Sequence, residues 1–272
     1  MKLSHAVDTM RRPVLGVAVS VCDYAAVGNA VMAAAGARAA LTVTALAVHG
    51  VMTGALDREH RARLNALDLV VPDGQPVRWA LNRLHRAGLD DRVYGPELML
   101  RILAAAAAAR CPIFLYGSTA DVLDRLRTNL SARFPGLTIA GAKPSQFRRL
   151  SVEERDVLAG EIRASGARIT FVALGCPRQE VWTYEHRGLL EMPIVAVGAA
   201  FDFHAGTSRQ APAMLQAAGL EWTFRLAHEP RRLWRRYVLL NPLYLMLLAL
   251  QWIGTVRFDD STRTTPTEVR FG

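Results

Sequence analysis

Lysine is nearly absent from this sequence. The chain has 272 residues and a formal net charge of +9, yet Lys2 and Lys143 are the only lysines among its 33 cationic residues, and the others are arginines. The planar guanidinium of arginine makes paired hydrogen bonds to phosphate and carboxylate groups, so the composition favours an anionic partner. An alanine- and arginine-biased genome explains the same composition, since residues 104–109 are all alanine.

Cysteines are few, and the amino-terminal segment carries no recognisable secretion signal. Cys22, Cys111 and Cys176 are odd in number and widely separated, which excludes a disulfide framework or a cysteine metal knuckle. Residues 1–13 are polar and basic, and the apolar run at 14–21 is too short for a signal peptide and lacks a cleavage site. These features predict reduced thiols and a cytoplasmic location.

Several common ligand-binding motifs are also missing. The sequence contains neither G-x-G-x-x-G nor G-x-x-x-x-G-K-[ST], which argues against a conventional dinucleotide or P-loop site. Its histidines show no two-His metal spacing, and it has no D-x-D pair, so metal dependence is not indicated. Asn241, Pro242 and Gln251 interrupt the apolar run at 239–252, so it predicts shallow membrane association and not a span.

Short apolar runs alternate with longer segments of helical period along most of the chain. This alternation is typical of repeated βαβ units, and it predicts an α/β fold with a Rossmann-like, doubly wound, largely parallel sheet. The predicted strands are 14–19, 41–48, 67–71, 112–116, 137–140, 168–174 and 194–197. The predicted helices are 23–35, 57–66, 75–86, 96–110, 119–133, 152–165 and 178–190.

Polar residues and glycines follow the predicted strands, where ligands bind in doubly wound sheets. Asp73 follows the third strand, and a partly desolvated carboxylate there can take a proton from a hydroxyl group; the alternative is a helix cap. Gly117 and Ser118 form a strand-to-helix turn that can bind phosphate, although many such turns bind nothing. Gln179 offers a donor and an acceptor to a sugar or base.

The alternation stops near residue 206, where a different module begins. Residues 209–236 contain six arginines against two glutamates, and residues 237–256 contain no charge. Arginine pairs and apolar pairs alternate in 231–238, which predicts a basic amphipathic helix that lies either at an anionic membrane surface or on its own domain. We therefore predict a catalytic core at 1–205, a membrane-associating helical appendage at 206–256 and a disordered tail at 257–272.

The strand-end motifs, taken in order, resemble the WecG/TagA/CpsF family of bacterial glycosyltransferases. The resemblance extends over residues 42–241, and its specificity comes from the succession of motifs and not from any one of them. The motifs are PDGQPV at 72–77, RVYGPELM at 92–99, LYGS at 115–118, LGCPRQE at 174–180, VGAAFDFHAG at 197–206, RQAP at 209–212, GLEW at 219–222, RL at 225–226 and EPRRL at 229–233.

This resemblance implies an inverting, metal-independent transfer of a sugar from a UDP-sugar to a polyprenyl-diphosphate-linked sugar. The reaction belongs to surface or secreted polysaccharide synthesis at the inner face of the cell membrane, and it needs no cofactor. Asp73 is the implied general base, with Thr44 and Arg92 lining its pocket. Gln179 and Asp202 fall at positions implied to contact a substrate.

The resemblance also assigns roles to the appendage and to partners. Arg225, Arg232 and Arg235 match arginines implied to close over the site and neutralise the leaving diphosphate, a charge that a metal-independent enzyme must stabilise with its own cations. The family implies self-association, and nucleic acid is not an expected partner. Where members carry Thr-x-Asn, this chain has Thr44-Ala45-Leu46, which leaves N-acetylmannosamine, its uronic acid and glucose open as donors.

Two further hypotheses come from other classes of protein. A nicotinamide-dependent oxidoreductase uses the same fold, but the missing glycine fingerprint argues against it. A non-enzymatic basic module that binds nucleic acid or membrane is suggested by the net charge alone, and it predicts DNA binding with a steep salt dependence.

Overall fold

The computed structural model describes residues 10–258 and 264–272, without the side chains of Arg232 and Arg236. A six-stranded parallel sheet in the order β4-β3-β8-β7-β5-β6 forms its centre, and an antiparallel pair, β1-β2, lies beside it. The strands are β1 (Arg11–Val14), β2 (Val17–Ser20), β3 (Leu41–Leu46), β4 (Leu69–Pro72), β5 (Ile113–Gly117), β6 (Ile139–Lys143), β7 (Ile169–Ala173) and β8 (Pro193–Ala196). The predicted Rossmann-like α/β class is confirmed.

Helices cover both faces of the sheet because successive side chains of each central strand point in opposite directions. Leu115 and Phe171 are buried under one helical layer, whereas Tyr116 and Val172 are buried under the other. The core helices are α1 (Tyr24–Ala37), α2 (Val48–Leu56), α3 (Arg58–Asn65), α4 (Gln75–His85), α5 (Gly95–Ala108), α6 (Ala120–Arg133), α7 (Val152–Ala164), α8 (Arg178–His186) and α9 (Ala200–Ala205).

The amino-terminal segment differs from the predicted single strand at 14–19. It forms the hairpin β1-β2, whose two turn residues, Leu15 and Gly16, both have positive φ angles. Two positive φ angles suit the tight turns that join twisted antiparallel strands, and Leu15 accepts this conformation while its side chain is buried. The sequence does not reveal the turn, because it lies within an apolar run that contains one glycine.

After Gly206 the chain forms a set of short helices that we call the appendage (residues 207–258). They are α10 (Ala213–Ala217), α11 (Glu221–His228), α12 (Pro230–Trp234), a π-helical turn (Arg235–Leu239) and α13 (Leu240–Trp252). Helix α13 docks on the core through Tyr244, which is buried and donates to the carbonyl of Pro76 at 3.0 Å. Gln251 accepts from the amide of Leu15 in the hairpin turn at 2.9 Å. None of the described helices is long and apolar enough to cross a membrane.

The predicted amphipathic helix at 231–238 is interrupted, because α12 passes into the π-helical turn at Arg235. Its apolar residues therefore do not share one face. Leu233 and Tyr237 are buried, whereas Trp234 and Val238 are exposed. Leu233 and Tyr237 thus anchor this segment, whereas Trp234 and Val238 face outward.

The carboxyl-terminal residues 264–272 lie against the core, unlike the disordered tail predicted for 257–272. The amide of Leu150 donates to the carbonyl of Arg270 at 2.7 Å, and Ser145 donates to the carbonyl of Gly272 at 2.6 Å. The carboxylate of Glu185 accepts the amides of Val269 and Arg270. Backbone hydrogen bonds order this polar segment, and its composition does not reveal them. Residues 259–263 of the predicted tail lie outside the described residues.

Candidate active site

Asp73 lies directly after β4, at the carboxyl edge of the sheet. Its Oδ1 accepts the backbone amide of Gly95 at 2.6 Å, so the start of α5 fixes the carboxylate. Burial raises the pKa of Asp73 above its usual range, and Glu221 raises it further, whereas Arg92, the Gly95 amide and Arg225 oppose the shift. The carboxylate is thus more basic than an exposed one, as a proton acceptor for a hydroxyl group requires.

Arg92 connects the core to the appendage beside Asp73. Its guanidinium is buried and donates from two nitrogens to Oε2 of Glu221, both at 3.2 Å, and from one of them to Gln216 at 2.9 Å. It also lies 4.1 Å from the ring centroid of Tyr94, whose hydroxyl donates to Oε1 of Glu221 at 3.1 Å. Both oxygens of Glu221 are therefore held by the core.

A cavity of about 620 Å³ opens between α4 and the appendage and includes Asp73 in its wall. One end is polar, with Asp73, Arg92, Glu221 and Arg225. Most of the remaining wall is apolar or aromatic. The apolar and aromatic lining residues are Ala47, Val48, Pro76, Trp79, Ala80, Ala218, Leu220, Trp222, Tyr237, Tyr244, Leu245 and Leu248.

Behind this cavity, Thr44, Gln179 and Glu180 form a buried hydrogen-bonded group. Glu180 accepts at Oε1 from Thr44 at 3.1 Å and from Nε2 of Gln179 at 2.9 Å. Oε1 of Gln179 is buried without a hydrogen-bond partner in the described part of the chain, and the side chain lies against Gly198. Glu180 thus orients the Gln179 amide and leaves its oxygen available to a ligand.

The other strand-end candidates lie progressively farther along the sheet. Asp202 belongs to α9, after β8, and accepts from the hydroxyl of Thr207 at 3.4 Å. Gly117 ends β5 and Ser118 follows it, four strand spacings from β4, which corresponds to roughly 19 Å. The amide of Ser118 already donates to the carbonyl of Ala173 at 2.8 Å, so that N–H is not available to a phosphate in this structure.

Of the three appendage arginines, the structure brings Arg225 to the candidate site. Arg225 lines the cavity, and its charge acts on Asp73. Arg235 is exposed, and its guanidinium lies 5.3 Å from the ring centroid of Trp234. The side chain of Arg232 lies outside the described residues.

Sequence reasoning did not select Glu221, Glu180 or Tyr94, which hold the predicted residues in place. Glu180 lies within the LGCPRQE motif and is fully buried. Glu221 lies within the GLEW motif, which is a usable signal. Its pairing with Arg92 joins residues 129 positions apart, and sequence spacing alone cannot reveal such a contact.

The fold and the site define a Rossmann-like α/β enzyme with a candidate base at the carboxyl edge of its sheet. Residues 12–257 match the glycosyl transferase WecG/TagA/CpsF family. The N-acetylglucosaminyldiphosphoundecaprenol N-acetyl-beta-D-mannosaminyltransferase of Bacillus subtilis (strain 168) is 30% identical over 181 residues, which cover 66% of this chain and 68% of that relative. The chain belongs to the WecG/TagA/CpsF family and is a glycosyltransferase.

Proposed function

We propose that the chain transfers a sugar from a UDP-sugar to a polyprenyl-diphosphate-linked sugar with inversion of configuration and without a metal ion at the donor diphosphate. The observation that carries the proposal is the cavity at Asp73, which combines a basic carboxylate, three arginines and a long apolar wall. These three parts are complementary to the hydroxyl group, the diphosphate and the lipid of a lipid-linked sugar diphosphate. The Bacillus subtilis relative is named for such an acceptor, an N-acetylglucosaminyldiphosphoundecaprenol.

Asp73 is the proposed general base. It removes the proton from the acceptor hydroxyl, whose oxygen attacks the anomeric carbon from the face opposite to UDP. The bond between the anomeric carbon and the diphosphate oxygen breaks as the new glycosidic bond forms, so the configuration inverts and UDP leaves with the electron pair. The proton resides on Asp73 until product release.

The departing diphosphate gains negative charge, which the appendage arginines are proposed to neutralise. Arg225 already lines the cavity, and Arg232 and Arg235 follow it along the same module. Charge-assisted hydrogen bonds from guanidinium groups stabilise phosphate oxygens at the moment when the charge develops. Thr44, Gln179 and Asp202 are proposed to contact the substrates, and Gly117 and Ser118 are retained as predicted phosphate contacts.

The apolar side of the cavity is proposed to receive the lipid part of the acceptor at a membrane surface. Large apolar side chains are exposed on the appendage next to it, and such a patch on a protein surface marks an interaction site. They are Trp234, Val238, Leu239, Leu245, Met246, Trp252 and Ile253. With the arginines of 225–236, they suit an anionic bilayer, so we propose peripheral attachment to the inner face of the cell membrane. Self-association remains a prediction.

The experiment is a transferase assay with the full chain, UDP-sugars and a polyprenyl-diphosphate-linked N-acetylglucosamine, with chelator present. UDP-N-acetylmannosamine is tested first because the Bacillus subtilis relative is named as an N-acetyl-beta-D-mannosaminyltransferase; the uronic acid and glucose donors follow. We expect one donor to give a disaccharide product with inverted anomeric configuration. A retained configuration, or a requirement for added metal ion, contradicts the proposed mechanism.

A further inference from the structure

A group of three side chains behind the active site is not used by the proposed transfer. His60 of α3, Cys176 of the β7–α8 loop and Glu180 of α8 each present one potential ligand atom, and these atoms all lie within 4.8 Å of one another. They are a nitrogen, a sulfur and an oxygen donor, a combination that zinc accepts. Residues from two helices and a loop therefore converge at one point.

Buried polar atoms at this point lack partners. His60 is 2% exposed and Glu180 is 0% exposed, and within the described residues neither Nε2 of His60 nor Oε2 of Glu180 has a hydrogen-bond partner. Unsatisfied buried polar atoms cost free energy, so most native sites pair them with protein groups, water or an ion. Both atoms belong to the three-residue group.

An internal hydrogen bond explains only part of this arrangement. The Cys176 thiol can donate to the Glu180 carboxyl, which accounts for the cysteine. It provides no partner for Nε2 of His60.

We propose that His60, Cys176 and Glu180 supply three of the four ligands of a buried zinc ion. The ion neutralises the thiolate and the carboxylate and gives Nε2 of His60 its missing partner. Cys176 is partly exposed, so the ion enters from the loop side. This site is separate from the donor diphosphate, so the zinc ion takes no part in the bond changes of the proposed transfer.

The proposed zinc ion also affects the active site through Glu180, a step that rests on the proposed function. Glu180 uses its other oxygen to accept from Thr44 and Gln179. An ion bound at Oε2 fixes the carboxylate and therefore the orientation of both side chains. Outer-shell contacts of this kind work in both directions, because hydrogen bonds to a ligating carboxylate also tune metal affinity.

The test uses the full chain, stripped with chelator and titrated with Co²⁺ and then Zn²⁺. We expect one equivalent of Co²⁺ to release the thiol proton, raise Tm and produce a thiolate-to-cobalt absorption band, and Zn²⁺ to displace the Co²⁺ and remove that band. If the stripped wild-type chain shows no cobalt band and binds no Zn²⁺, the proposal is overturned. This readout involves no sugar, so it is independent of whether the proposed transfer occurs.

Variants assign the ligands. Cys176→Ser keeps a hydroxyl donor for Glu180 and should abolish the cobalt band, whereas His60→Gln should weaken zinc binding by on the order of 100-fold or more, beyond the effect of an outer-shell change. Cys111→Ser, at another partly exposed cysteine, is the matched control and should bind like the wild type. Unchanged zinc affinity in Cys176→Ser or His60→Gln overturns the proposed ligand set.

Discussion

The α/β core and the appendage are held together by different interactions. In the core, strand residues such as Phe171 and Val172 alternate between two packed layers and are fully buried. In the appendage, α10 and α11 contain no buried residue, and both helices attach through polar side chains, of which Glu221 on Arg92 is the central one. The core is thus specified by an apolar pattern, whereas the position of α10 and α11 depends on a few polar contacts with residues of the active site.

The two regions form opposite sides of one cavity. The core supplies Asp73 and Arg92, and the appendage supplies Glu221 and Arg225. The Arg92–Glu221 ion pair bridges the two regions at the site. The following variants separate the contributions of the two regions.

The largest effect is expected from Asp73→Asn in the core. The amide cannot accept the hydroxyl proton, and loss of a general base reduces rates by about 10²- to 10⁴-fold. Asparagine preserves the shape of the side chain and its bond from the Gly95 amide, so Tm should change little. Steady-state rates and thermal unfolding are the measurements. Asp90→Asn, at an exposed carboxylate, is the control, and a wild-type rate in Asp73→Asn excludes Asp73 as the base.

Tyr244→Ala should reveal how far the appendage contributes to stability. Tyr244 is 1% exposed and packs among residues of the hairpin, α2 and α4. Its truncation leaves a cavity and removes its hydrogen bond to the Pro76 carbonyl. Truncation of a buried aromatic side chain costs about 3–5 kcal/mol. Denaturant unfolding measures the loss. A cost below about 0.5 kcal/mol, as for an ordinary surface position, means that the appendage does not dock in this way.

Leu245→Ser is the matched variant on the same helix, one residue away. Leu245 is 62% exposed, so the free energy of unfolding should stay within about 0.5 kcal/mol of the wild type. Binding to anionic vesicles should weaken by about tenfold, because a leucine side chain buried in a bilayer contributes roughly 1.5–3 kcal/mol. Vesicle co-sedimentation measures this. Equal binding by the two proteins places the membrane contact elsewhere.

The same contrast explains how much could be predicted from the sequence. All six strands of the parallel sheet were predicted near their observed positions, because apolar runs such as residues 169–173 have no other stable place than a buried sheet. The position of Asp73 at the carboxyl edge of the sheet was predictable because the residue follows a predicted strand. The hairpin turn at Leu15 was not predictable, because nothing in the sequence indicates that this buried leucine has a positive φ angle.

The contacts that fix the appendage were beyond sequence reasoning. The alternation of pairs in 231–238 predicts one amphipathic face, but the helix is interrupted by a π-helical turn, and its apolar residues are divided between the inside and the surface. The hydrogen bonds of residues 264–272 involve mainly backbone groups, which carry no compositional signal. Long-range polar pairs such as Arg92 and Glu221 likewise require the folded chain.

The smallest expected effect is a pair of opposite shifts in the acid limb of the pH profile for kcat/KM. A base works when it is deprotonated, so activity falls as the pH decreases through the pKa of Asp73. Glu221 raises that pKa, so Glu221→Gln should move the limb to lower pH; Arg225 lowers it, so Arg225→Gln should move the limb to higher pH. Arg235→Gln, on an exposed residue outside the cavity lining, should reduce the rate without moving the limb. Shifts in the same direction for Glu221→Gln and Arg225→Gln would mean that the titrating group is not Asp73, since Glu221 and Arg225 act on the pKa of Asp73 with opposite sign.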